Sequence, residues 1–334
     1  FSLDHYLAKE LILEMVDSPE SLTYLGVIDR FNWLTNHQSK ISVTGLSDME
    51  EDLVDAKKLK AHLLSYKNES LSEQQKITKE IAVFDVSNFI KETEEFPFHN
   101  YPLNQIGGIH LNVVEFMTDV HPIRNVKEAQ AYIDRLNLFD DSFKATLEIL
   151  NAQKKAGIFP PKFVFDHVIR QLEEFLNFKE NENPLRSVFL RKIEELNLDS
   201  EVSSDLISKL DNSIENSVTP GFKLLYDFVN ETRKKANQYH GVWSLPNGDE
   251  FYALRLKVYT TTDYSAEDIH NIGLSEVERI TKRMQEIAFD LGYGDQVKIG
   301  QLMNSLNEDS NFLYSDTPNR KERVVADYNS IVEE

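Results

Sequence analysis

Apolar residues recur at helical spacing along most of the 334-residue chain. Leu3, Leu7, Leu11 and Met15 form one stripe over Phe1–Met15, and Ser18-Pro19-Glu20 reads as an N-cap followed by proline in the first turn. Two further helices are expected over Leu46–Tyr66 and Ser72–Glu95, the second facing inward through Ile77, Ile81, Phe84 and Ile90. Phe96–Gly108 interrupts the pattern. Its prolines and paired glycines break a helix, while its aromatic residues mark it as packed. Asn125-Val126-Lys127-Glu128 resembles a capping box opening a helical stretch toward Ala156, closed by Gly157. Pro160-Pro161 introduces Lys162–Leu176, whose Val164, Val168, Leu172, Phe175 and Leu176 form a broad apolar face. Beyond the polar loop Lys179–Asn183, helices are expected over Leu185–Leu196, Glu201–Val218 and Phe222–Asn237. No fixed-period repeat or low-complexity linker divides the chain, so residues 1–334 read as a single mostly helical unit.

One stretch departs from this background. Val242–Leu245 and Phe251–Thr262 flank Pro246-Asn247-Gly248-Asp249, where proline fixes a turn and Asn-Gly tolerates positive φ. The density of Tyr and β-branched residues suits a sheet, so a small β-hairpin over about 242–262 is expected, leaning on helices because an isolated pair is marginal in water. Ser265 then caps a helix with Asp268 three positions on, and Ile269, Val277, Ile280, Met284, Ile287 and Leu291 trace its apolar face up to Gly292. The fold class expected is mainly α, multi-helical, with one hairpin.

Composition narrows the function. Hydrophobic residues at 41% and charged residues at 28% describe a globular chain rather than a disordered one. With 56 acidic against 36 basic residues the formal charge is −20, which disfavours nucleic acid and anionic membrane surfaces as partners. The chain has no cysteine, which removes disulfides, Cys-zinc sites and thiol catalysis together. No apolar run is long enough to span a bilayer. The first residue is Phe1, which reads as a trimmed boundary or a processing product, and a removed signal segment cannot be read from it.

The nine histidines (His5, His37, His62, His99, His110, His121, His167, His240 and His270) include no His-Glu-x-x-His pair, so the helix that offers zinc two imidazoles and a general base is absent. There is no Gly-x-Ser-x-Gly elbow and no phosphate-binding Gly-x-x-x-x-Gly-Lys-Ser/Thr loop. Glu267 and His270 lie three apart, as in half of a dinuclear site, but no second Glu-x-x-His completes it. His270 therefore reads as a structural histidine near a helix start, with a substrate contact as the alternative. Two aromatic candidates accompany it: Trp243 and Tyr252 are either core residues or the lining of a cleft. Gly107-Gly108 before His110 reads as a packing turn, and adjacent acids such as Glu94-Glu95 diverge by roughly 100° on a helix and do not converge on one atom.

The order of several motifs resembles the bacterial domain-of-unknown-function 885 family. They are Tyr101-Pro102-Leu103-Asn104-Gln105 with Gly108, His121-Pro122 leading to Ala131-Tyr132-Ile133-Asp134-Arg135-Leu136, and Gly157-Ile158-Phe159-Pro160-Pro161. The most specific are Gly241-Val242-Trp243-Ser244-Leu245-Pro246-Asn247-Gly248 with Phe251-Tyr252, Thr260-Thr261-Thr262, and Ile269-His270-Asn271-Ile272-Gly273-Leu274. The resemblance implies a helical architecture related to zinc peptidases of the angiotensin-converting-enzyme and oligopeptidase type, often exported and sometimes lipid-anchored. The metal-binding segment attributed to the family, His-Glu-x-x-Pro-Gly-His-His, does not occur here, so no metal ligand or catalytic residue carries over. The expectation is an amino-terminal helical part that forms one wall of a peptide-binding cleft and is inactive alone, zinc being confined to a longer protein. A non-catalytic binding or scaffold protein of the cell envelope is the alternative. In the same sense, Glu322–Glu334 carries an apolar face without a C-cap.

Overall fold

The structure is a computed structural model that describes residues 2–26, 28–294 and 297–333. Phe1 and Glu334, the outer ends of the first and last expected helices, lie outside the described residues. Helices and connecting turns make up the whole of the described chain, with no strand among the described residues. Where the pattern suggested one unit, the contacts group the chain into two compact units, Phe1–Thr260 and Thr261–Glu334.

The first unit is built on three apolar clusters. In the largest, the amphipathic helices Val126–Leu136, Phe139–Ala156, Lys162–Leu176, Pro184–Glu195, Ser200–Ser213 and Thr219–Thr232 share one core, the last packing on Phe139–Ala156 and Lys162–Leu176. Phe143, Phe175 and Phe222 pack there, the Phe175 and Phe222 rings stacked 3.7 Å apart. Val164, Val168, Leu172 and Phe175 are all buried, as their spacing predicts. A second cluster joins Leu3–Asp17, Leu46–Ser65 and Glu73–Glu95 through Leu3, Ala56, Leu63, Val86 and Ile90. Here the expected inward stripe is corrected: Ile90 is buried, but Ile77 and Ile81 are exposed, because this helix seats on its neighbours through Ala82, Val83 and Val86. The third cluster is small: Phe96, Phe251 and Leu254.

Caps explain most boundaries. Ser18 accepts from the Ser21 N–H ahead of Pro19, Ser72 and Gln75 form a reciprocal capping box, and Asn125 accepts from Glu128 N–H. Gly157 closes its helix in the left-handed region at φ 73°. Two π-helical turns, Phe116–Val120 and Ile214–Val218, have no counterpart in the sequence pattern.

The first of these turns delivers Phe116 and His121 to the most heavily bonded side chain of the unit. Arg135, on Val126–Leu136, has no solvent exposure. Its Nε donates to Lys40 O at 2.7 Å and Nη1 donates to His121 Nδ1 at 2.7 Å. Nη2 donates to Thr23 Oγ1 at 2.6 Å, His37 O at 2.8 Å and Pro19 O at 3.2 Å. The Phe116 ring covers the guanidinium at 4.8 Å. Every hydrogen-bond acceptor is neutral, so burial lowers the Arg135 pKa to about 10, against the pull of Glu20 and Asp29. It remains a cation at neutral pH. Around it, Asp29 accepts from Arg124 at 2.6 Å and pairs with His37 Nε2 at 3.3 Å, while Arg124 also clamps Glu128 at 2.7 Å.

Replacing Arg135 by Met leaves several buried acceptors unmatched, each costing about 1–3 kcal/mol, and a total loss of at least about 3 kcal/mol is expected in urea unfolding. Arg135→Lys recovers only part of it, since an ammonium cannot span the acceptors that the planar fork reaches. Acid sensitivity follows from the same site. His121 accepts from Arg135 and is therefore neutral; burial first, then the Arg135 charge, hold its pKa at about 3 instead of 6.5. His37 and His110 are also shifted down, by burial first. The unfolded chain protonates these rings below about pH 6.5, and the native chain protonates each of them only at lower pH. This contribution is thus complete above that pH and is lost as pH falls toward about 3, by up to about 1.4 kcal/mol per pH unit for His121. His121→Gln keeps an acceptor but cannot titrate, so the slope of unfolding free energy against pH between about 6 and about 4 is expected to drop by about one proton.

Candidate functional site

The stretch expected to form a hairpin is helical. Val242–Ser244 is a single 3₁₀ turn, and Gly248–Thr260 is an α-helix. Phe251, Leu254 and Val258 stand three and four residues apart and bury together against Phe96 and Val242, a set that strand alternation would split between two faces. The predicted turn at Pro246-Asn247-Gly248 survives as the helix entry: Asn247 takes φ 51° and its carbonyl accepts from the Phe251 N–H at 3.0 Å. Gly248 is required by contact, since a Cβ there would lie 2.0 Å from Val242 O. Trp243 folds back over Gly241, where a Cβ would meet its Nε1 at 2.0 Å. The helix stops at Thr261, in the left-handed region at φ 55°.

His99, in the expected break Phe96–Gly108, ties that loop to this entry. Its Nε2 donates to Pro246 O at 2.7 Å, and its ring packs against Phe96 and Phe251 at 5.2 and 4.8 Å. Nδ1 is buried with no hydrogen-bond partner among the described residues. Two clefts flank this cluster. One, about 140 Å³, is lined by His99, Tyr101, Phe159, His240, Val242 and Phe251 among others. The second, about 340 Å³, lies on the Phe96 side and is bordered by Asp52, Glu92, Asn100 and Arg255. There Arg255 pairs with Glu92 at 2.8 Å, and burial together with Asp48, Asp55 and Glu51 raises the Asp52 pKa.

Beside the smaller cleft, which His240 lines, exposed aromatic rings form two contact groups. Trp243, 60% exposed, meets Tyr239 at 5.2 Å. His240 meets Phe163 at 4.9 Å, Phe163 meets His167 at 6.4 Å, and Arg170 donates to His167 Nδ1 at 2.7 Å. A hydrogen bond from Lys162 N–H to Asn237 O at 3.0 Å and an Arg233–Asp166 ion pair fix the 237–240 strand of loop to Lys162–Leu176. Of the residues singled out in the sequence, Trp243 belongs to the group with Tyr239. Tyr252 is half exposed on the Gly248–Thr260 helix, on the stripe it shares with Arg255 and Tyr259, whose ring the Arg255 guanidinium covers at 4.8 Å. His270 is in the other compact unit, exposed in the second turn of Ala266–Asp290, just past the reciprocal cap of Ser265 and Asp268. Sequence reasoning missed Tyr239, His240, Phe163 and His167. Only the Pro160-Pro161 helix start beside Phe163 hinted at that corner.

Elsewhere in this unit, a cleft of about 650 Å³ opens between Leu3–Asp17 and Pro19–Leu25, lined by Leu11, Met15, Tyr24, Leu25 and Phe116 with Glu14 and Glu20. Among the described residues no three His, Cys, Asp or Glu side chains converge as metal ligands, so the residues present do not fit the zinc that the family resemblance implies. Gly107-Gly108 is a packing turn: a Cβ on Gly108 would lie 2.4 Å from Asn104 O, and His110 is buried on Gln171 at 3.0 Å.

The fold and this surface define a mainly α-helical, multi-helix protein with an aromatic face beside paired clefts. The chain belongs to the bacterial family of unknown function DUF885, whose profile matches residues 19–334. Its fold is similar to a crystal structure described as that of "the putative lipoprotein from Colwellia psychrerythraea", with a TM-score of 0.78 and 24% identity. That match covers 89% of this chain and 52% of the Colwellia chain, so the chain spans about half the length of that protein. Comparison with curated proteins gives no match. No described helix is long and apolar enough to cross a membrane.

Gly248→Ala forces the Gly248–Thr260 helix away from Val242 O. A loss of about 1–3 kcal/mol is expected, read in urea unfolding, together with a changed near-ultraviolet dichroism from the shifted Trp243.

Proposed function

We propose that this chain forms one wall of a peptide-binding cleft in an exported, metallopeptidase-like bacterial protein and carries out no hydrolysis by itself. The observation that carries this reading is the two groups of exposed rings, Trp243 with Tyr239 and His240 with Phe163 and His167, of which His240 lines the cleft shared with His99 and Phe251. Rigid aromatic rings supply contact area at a small entropic cost, and Trp and Tyr combine an apolar body with a polar tip suited to a peptide backbone. The formal charge of −20 favours neutral or basic peptides over acidic ones. Tyr252 and His270 are assigned lesser roles as substrate contacts at exposed helix positions. Zinc chemistry in this reading belongs to residues other than those described, because activation of water needs a converging ligand set. Export is supported by the likeness to the Colwellia protein, which is described as a putative lipoprotein.

Calorimetric titration with a tryptic digest of casein tests the reading. Saturable binding is expected, weakened about tenfold, or about 1.4 kcal/mol, by Trp243→Ala, with no peptide cleavage when zinc is added. An absence of saturable binding, or an affinity unmoved by both Trp243→Ala and Tyr239→Ala, sinks the cleft. Stoichiometric zinc uptake with turnover sinks the claim of inactivity.

A further inference from the structure

The acidic balance of the chain is reversed at one corner of the first unit. Lys154, Lys162, Arg170, Arg233, Lys234 and Lys235 gather about two carboxylates, Asp166 and Glu231, all within Phe1–Thr260. Arg233 pairs with Asp166, and Lys154 pairs with Glu231 at 2.8 Å. The Arg233 hydrogen bond, aided by the charges of Arg233, Lys162 and Arg170, holds the Asp166 carboxyl below its usual range. Lys154, with Lys235 and Lys234, does the same for Glu231. Lys162, Arg170, Lys234 and Lys235 are left with no carboxylate in salt-bridge contact among the described residues. Helix ends answer part of this excess. Phe139–Ala156 and Thr219–Thr232 both finish here, and each C-terminus attracts cations with about half a negative charge, which leaves about three positive charges without a counterpart. The His240 group of rings stands in the same place. Phe163 and His167 alternate with Lys162, Asp166 and Arg170 along one helix, Arg170 donates to His167 Nδ1 at 2.7 Å, and Asn237 O fastens the loop before His240 to the Lys162 N–H at 3.0 Å.

We propose that this corner holds the free terminal carboxylate of a peptide whose apolar side chains lie on the neighbouring rings. The proposal rests on the cleft reading above and adds the direction in which the peptide lies. Charge selects the occupant. The local cations call for an anion, while the formal −20 repels a ligand with many negative charges, such as a nucleic acid or an acidic segment. A single carboxylate at the end of a neutral or basic peptide meets both conditions. The Arg170 guanidinium and the long stems of Lys162, Lys234 and Lys235 supply charge-assisted N–H donors for its two oxygens. Trp and Tyr on the other side of the smaller cleft then meet residues farther from that end.

The test is calorimetric titration of the full chain with the casein-digest peptide that binds tightest, synthesised once as the free acid and once as its carboxy-terminal amide. The acid is expected to bind at least about tenfold tighter, although the chain-wide charge favours the more cationic amide. The double substitution Lys234→Gln and Lys235→Gln changes exposed positions, so the fold persists. It is expected to cut the preference below about threefold while affinity for the amide stays within about twofold. Lys67→Gln with Lys127→Gln alters the net charge equally at exposed positions outside this corner and is expected to leave the preference intact. Equal binding of acid and amide, both weakened by Trp243→Ala, overturns this proposal and leaves the cleft standing; no saturable binding of either form removes both. A preference that survives the Lys234 and Lys235 substitutions, or that the control pair also abolishes, overturns the assignment to this corner. Binding to phosphatidylglycerol vesicles that the same substitutions abolish, without any preference for the acid, overturns it in favour of an anionic lipid surface.

Discussion

The first unit depends on a buried guanidinium whose donors all meet neutral acceptors. Arg135 reaches three backbone carbonyls, one hydroxyl and one imidazole from segments that have no secondary-structure link to its own helix. Removing the charge from water is expensive, and without a carboxylate in contact the compensation comes from the number and direction of the hydrogen bonds and from the Phe116 ring. Such an arrangement is intolerant. The carbonyls at Pro19, His37 and Lys40, in and beyond the short Pro19–Leu25 helix, are all held by this one side chain.

That dependence shows why some features could be read from sequence and others could not. Local chemistry was legible: Ser18-Pro19, Ser72, Asn125 and the Ser265–Asp268 pair cap helices, and Gly157 ends one, because a cap needs only its neighbours in the chain. The Lys162–Leu176 face was legible for the same reason. Arg135 looks like any arginine on an amphipathic helix; its partners lie at remote positions, and nothing in its own turn announces them. The π-helical turns that place Phe116 and His121 carry no compositional mark.

The Gly241–Thr262 stretch illustrates the opposite failure. Pro-Asn-Gly between aromatic and β-branched residues satisfies the local rules for a hairpin. Tertiary context decided otherwise: Phe96 and His99 offer a partner to Phe251 and Leu254 only if these share a helical face, and His99 then uses the Pro246 carbonyl as an anchor. The turn residues kept their conformational role and lost their topological one. Of the site residues, Trp243 could be nominated from its motif, but Phe163 and His240 could not, since one stands at the start of a helix and the other in a loop remote from it in sequence.

The Arg135 network also has a consequence for the time course of folding. Its bonds to Pro19, Thr23, His37 and Lys40 join positions 116, 112, 98 and 95 residues apart. Loops of that length must close before any of these bonds exists, whereas the helices between them form from near neighbours. The network is therefore a late event, largely absent from the transition state. Interactions of that kind act on the escape rate of the native chain far more than on its rate of arrival. Arg135 is in this sense a latch: it sets how long the Pro19–Ile41 segment stays shut once folded, and contributes little to finding its place.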